Sequence, residues 1–77
     1  MTKDDLQNLI HLKREFEFNY DGVNYNITYD KDSEGNDVIL FGRTYQGEIY
    51  KSFGELFNNA RIENHFLKDT LEYIPLK

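Results

Sequence analysis

The sequence predicts a single small α+β domain over residues 1–77: an N-terminal helix, a three- to four-stranded antiparallel β-meander, and two C-terminal helices packed on one face. Three observations carry that prediction. Apolar and polar side chains alternate on both sides of Asp21-Gly22, residues 38–41 are an unbroken apolar run, and Phe53, Leu56, Phe57 and Ala60 share one helical stripe behind a serine. A period of two sends successive side chains to opposite faces of a strand, whereas steps of three and four keep them on one face of a helix.

The N-terminal helix is expected at about residues 3–13. Thr2 is placed to cap it, and Asp4 and Asp5 stand in the first turn, where the helix dipole favours negative charge. Leu6, Leu9 and Ile10 follow at helical spacing with Leu12 off to one side, so the apolar face is narrow and the helix reads as a flap on the sheet. His11 beside Leu12 reads as a solvent-facing histidine.

The hairpin comes next. Phe16, Phe18 and Tyr20 alternate with Glu15, Glu17 and Asn19, and Val23, Tyr25, Ile27 and Tyr29 alternate with Asn24, Asn26, Thr28 and Asp30. Asp-Gly is a preferred two-residue hairpin loop, because both turn positions need positive φ. A two-residue loop pairs Tyr20 with Val23, Phe18 with Tyr25 and Phe16 with Ile27. Every apolar residue then lands on one face.

Residues 30–37 form a polar loop with Gly35 suited to positive φ. The run Val38–Phe41 predicts a central strand covered on both faces and continuing to Tyr45. After Gln46-Gly47 a weaker strand, residues 48–51, is expected at an edge. If the third strand ends at Tyr45, Arg43 opposes Tyr50. Ser52 then caps a helix, with Glu55 reaching back to the Ser52 N–H as in a capping box. Asn58-Asn59 mark its end. A connection at Arg61–Asn64 leads to a last helix carrying Phe66, Leu67, Leu71 and Ile74, capped by Asn64 and stopped by Pro75.

Composition limits the functions open to the chain. With 77 residues the core is small, and 6 Phe and 6 Tyr supply much of what it buries. The absence of cysteine excludes disulfides and thiolate metal sites within the chain. The net charge of −5 argues against nucleic acid and against anionic membranes as partners. The charged first residues and the lack of a long apolar run predict a cytoplasmic protein with no membrane partner.

Three candidate chemistries stand beside their plainer readings. Asp30, Asp32 and Glu34 before Gly35 resemble the first half of an EF-hand-type calcium loop, but Phe41 occupies the twelfth position and the flanks read as strands. A solvated hairpin loop has the same composition. His65 and Asp69 are four apart on the expected last helix, with no nucleophile beside them. No phosphate loop or nucleophile elbow is present. Arg43, Tyr45 and Tyr50 make a Tyr/Arg cluster of the composition enriched at protein interfaces.

The sequence therefore predicts a non-enzymatic protein–protein interaction or accessory domain without catalytic residues, cofactor or metal. Its expected partner is another protein, or a second copy in a weak homodimer. A calcium-responsive binder using residues 30–37 is the first alternative, and a small enzyme using His65 the second.

Overall fold

In the computed structural model, which describes residues 1–44 and 46–74, the chain begins with α1 (Lys3–His11) and β1 (Phe16–Tyr20). It continues through β2 (Val23–Lys31), β3 (Asp37–Arg43), β4 (Glu48–Tyr50) and α2 (Phe53–Asn59). β5 (Arg61–Ile62), β6 (His65–Phe66) and α3 (Leu67–Thr70) follow, then a 3-10 turn at Leu71–Tyr73. The first four strands form one antiparallel sheet in sequential order, which leaves β1 and β4 as its edges. The α+β architecture is as the sequence predicts.

The hairpin forms in its expected register, with Tyr20 opposite Val23, Phe18 opposite Tyr25 and Phe16 opposite Ile27. Asp21 and Gly22 both take positive φ, 53° and 81°. The inward side chains of the sheet join Leu6, Leu9 and Ile10 of α1, Leu56 of α2 and Leu67 of α3 in one core. Phe18, Tyr25 and Phe41 stack at its centre, with ring centroids 5.6 Å, 6.2 Å and 6.3 Å apart.

α1 starts where the sequence places it. The Asp5 N–H donates to the Thr2 hydroxyl (3.1 Å) and the Thr2 N–H to the Asp5 carboxylate (3.0 Å). It stops two residues short of the expected end. Lys13 takes φ 53°, and the Arg14 and Lys13 N–H groups donate to the Leu9 and Ile10 carbonyls, each at 3.0 Å. These are the two bonds of a Schellman closure, with lysine where glycine is commonest. The Tyr29 hydroxyl donates to the Arg14 carbonyl (2.8 Å) and ties this exit to the sheet. Burial, and then the Glu15 carboxylate, push the Tyr29 phenol up to about 12.

The polar loop is shorter than expected, since Lys31 and Asp37 still pair across the strands. The Asp32 carboxylate accepts the N–H groups of Glu34 and Asn36, each at 2.9 Å, and Gly35 takes φ 83°. Asp37 bonds Lys31 (2.7 Å) and Lys13 (2.8 Å).

β3 departs from its expected form in two ways. Ile39 and Phe41 enter the core, whereas Val38 is buried without joining that cluster and Leu40 is only partly buried. α1, α2 and α3 contribute Leu6, Leu9, Ile10, Leu56 and Leu67 to the single core, and Ile49, opposite Leu40 on the other face of the sheet, is 61% exposed. The strand also ends at Arg43, and Tyr45 lies outside the described residues. Gly42 explains the early departure. A Cβ there would meet the Gln46 carbonyl oxygen at 2.9 Å, so the chain folds back over it and the Gln46 N–H donates to the Arg43 carbonyl (2.8 Å).

The C-terminal third holds two further corrections. Ser52 caps α2 by accepting the Glu55 N–H (3.1 Å), but Glu55 reaches to the Lys51 N–H (3.2 Å) and not to that of Ser52. The expected connection at Arg61–Asn64 is the first half of a two-residue hairpin, with Ile62 opposite His65 and Glu63 at φ 57°. Asn64 therefore sits in a turn and caps nothing. The last helix starts at Leu67 without a side-chain cap and tightens into the 3-10 turn. Pro75 lies outside the described residues.

Candidate functional site: the Arg43–Tyr50 cleft and the sheet edges

The register of β3 and β4 sets which side chains meet. Tyr50 pairs with Ile39 and Glu48 with Phe41, while Arg43 pairs with Tyr25 on the other side of β3. The expected Arg43–Tyr50 pairing is therefore wrong by four positions, because the β3–β4 ladder closes at Phe41 and Glu48 and not across Gln46-Gly47. The structure nevertheless brings the two residues together. Odd-numbered positions of β3 share the core-side face with Tyr50, so both side chains line one open cleft of about 440 Å³ beyond the edge of the core. Tyr25, Glu48, Arg61 and Glu63 also line it.

Arg43 is exposed and Tyr50 half-buried, packed against the core rather than held off it. Burial, followed by the Glu48 and Glu55 carboxylates, raises the Tyr50 phenol above its ordinary value. Its hydroxyl stays protonated at neutral pH. The Arg61 guanidinium lies over the Phe66 ring, 4.5 Å from its centroid, which holds it at the mouth of the cleft. The cleft thus presents two guanidinium groups, two carboxylates and a phenol over an aromatic floor. It suits recognition of a polar, mixed-charge surface.

Tyr25, Glu48, Arg61 and Glu63 are cleft residues outside the expected set of Arg43, Tyr45 and Tyr50, and Arg61 and Glu63 come from the farthest part of the chain. The signal for these last two was Glu63-Asn64 between Arg61-Ile62 and His65-Phe66, a two-residue turn too short in its flanks to show alternation. Ile49 was missed as well. It lies beside Leu40 on the face opposite the core and is 61% exposed.

The ladder pattern shows which backbone groups lie open. The Thr44 N–H donates to the Asn24 carbonyl (3.2 Å), so even-numbered residues of β2 bond β3 and odd-numbered residues bond β1. The remaining residues of each edge strand turn their N–H and C=O groups outward. On β4 these are Ile49 and, just beyond the strand, Lys51, whose N–H already donates to Glu55. On β1 they are Glu17 and Asn19, with Glu15 just before them, all exposed.

The other candidates are not drawn together. His11 and His65 are exposed and lie on α1 and β6. Asp69 belongs to α3, so His65 and Asp69 do not share a helix face. Around the loop, Asp32 is occupied by backbone amides and held below its usual carboxylate value, chiefly by the Asn36 N–H. Asp37 is held by lysines, first Lys13 and then Lys31, at about 2. Among the described residues no three His, Cys, Asp or Glu side chains converge as metal ligands. No helix among them is long and apolar enough to cross a membrane. No family model, curated protein or solved structure matches the chain.

Proposed function

We propose that this protein is a small non-enzymatic interaction domain that binds a protein partner, or a second copy of itself, through the Arg43–Tyr50 cleft. One observation carries the reading: Arg43, Tyr50 and Arg61 line the same cleft at the end of the sheet. Tyrosine and arginine are among the residue types that most often anchor protein interfaces. The one open rung of β4, at Ile49, is too short an edge for main-chain pairing to dominate. Side chains of the cleft do the recognising.

Sedimentation velocity over a wide concentration range tests self-binding, with Tyr50→Glu and Arg43→Glu beside the wild type. Arg43 is exposed, so its variant folds even where Tyr50→Glu loosens the core. A dimer that dissociates in both variants supports the cleft. A dimer indifferent to both places the interface elsewhere. A strict monomer removes self-association and leaves a different protein as the partner.

A further inference from the structure

The edge at β1 carries an inference beyond the cleft. Glu17 and Asn19 direct their N–H and C=O groups away from β2, and among the described residues nothing bonds their amides. An open edge of this kind accepts a further strand. α1 does not close it. A groove of about 400 Å³ lies between the helix and the start of β1, lined by Asp5, Leu9, Leu12, Arg14, Glu15 and Phe16. Leu12, 63% exposed, forms its lip. On the outer side of the same strand Glu15 and Glu17 border a second hollow of about 390 Å³ with Asn26 and Thr28. Both sides of the edge thus have room for side chains, one apolar at its base and one acidic at its rim.

We infer that β1 is the docking edge for an extended segment of another protein in which apolar residues alternate with Lys or Arg. Main-chain bonds to Glu17 and Asn19 extend the sheet. Side chains of one parity enter the groove beside Leu9, Leu12 and Phe16, and those of the other parity lie over Glu15 and Glu17. Opposite charges at neighbouring positions across strands attract, and like charges repel. That rule selects the occupant. Two copies paired through β1 would set Glu15 and Glu17 against each other, so the edge rejects its own kind and admits a basic strand. Arg14 is the one basic side chain among those lining the groove, and it sits before the strand rather than along it. The segment needs about five residues, at roughly 3.3 Å each, to run the length of β1.

The test uses capped eight-residue peptides and amide spectra of the whole protein. The probe alternates Lys with Val; the controls alternate Glu with Val, scramble the Lys/Val order, or carry N-methyl groups on one alternate set of backbone nitrogens. The expected result is saturable shifts at Leu12, Glu17 and Asn19 with the probe alone. Reversing both charges, Glu15→Lys with Glu17→Lys, should weaken binding by about tenfold or more. Both residues are exposed, so the variant keeps the fold, which its own amide spectrum verifies. N-methylation of one alternate set should abolish binding and of the other should not. Equal binding of the scrambled or acidic peptide, tolerance of N-methylation on both sets, or no saturation at millimolar probe overturns the inference. Shifts centred on Arg43 and Tyr50 also overturn it while favouring the cleft, so the two sites fail separately.

Discussion

Truncating Phe18 to alanine removes the ring at the middle of the aromatic stack. Phe18 is 7% exposed, and its ring centroid lies 5.6 Å from Tyr25, 5.9 Å from Phe16 and 6.3 Å from Phe41. Losing so buried a ring costs about 3–5 kcal/mol, from lost burial together with the cavity left behind. The upper part of that range fits this site, because the neighbouring rings are rigid and collapse poorly into a void. A domain of 77 residues has roughly 4–12 kcal/mol of total stability, at 0.05–0.15 kcal/mol per residue. The substitution therefore removes a third or more of it. At roughly 4–8 °C per kcal/mol for a domain this small, the melting temperature should fall by about 12 °C or more. Phe18→Leu fills most of the volume and should cost no more than about 1.5 kcal/mol. Thermal and urea unfolding followed by circular dichroism measure both. A Phe18→Ala protein that melts within about 3 °C of wild type would refute the reasoning, since less than 1 kcal/mol cannot come from a ring inside this core.

Three further outcomes are expected. Asp37 titrates at about 2 in the folded protein against an ordinary 3.8, so the stability it contributes is present above pH 4 and is lost as pH falls toward 2. Asp37→Asn should flatten that part of an acid unfolding profile, and an unchanged profile would mean that Lys13 and Lys31 do not hold it. Gly42→Ala places a Cβ 2.9 Å from the Gln46 oxygen at φ 156°, and should destabilise by about 1–3 kcal/mol in urea unfolding. A neutral Gly42→Ala would show that the Gln46-Gly47 backbone does not press on it. Calcium titrated to millimolar levels should give only weak, diffuse amide shifts over Asp30–Asp37, because Asp32 and Asp37 already have partners. Saturable micromolar binding with shifts confined to Asp30, Asp32, Glu34 and Asn36 would revive the calcium reading.

Residues 15–30 determine their own structure because everything they need is local. The alternation names a face for each side chain, Asp21-Gly22 sets the loop length, and a slip of one residue would turn every apolar group to solvent. The same holds for Thr2 with Asp5 and for Ser52 with Glu55, where donor and acceptor lie three residues apart. The Arg43–Tyr50 site was legible as a composition, Tyr and Arg near one end of the sheet, but not as a geometry. Its register depends on Gly42 lying under Gln46, a contact between backbone atoms that no pattern of side chains reports. Arg61 and Glu63 reach the cleft through a ribbon of two-residue strands, too short for any period to appear.

Tertiary structure alone decided which strand edges and which sheet face stay open. The run Val38–Phe41 looks the same in sequence whether one face is covered or two. Only the joining of α1, α2 and α3 on one side leaves Leu40 partly buried and Ile49 exposed on the other. Likewise Glu15 and Glu17 are ordinary polar-face residues until the order β1-β2-β3-β4 leaves their strand without an outer neighbour. Periodicity records the face that a side chain takes, because that is fixed within a few residues. What lies against that face, or beside that strand, depends on segments far along the chain, and no local pattern carries it.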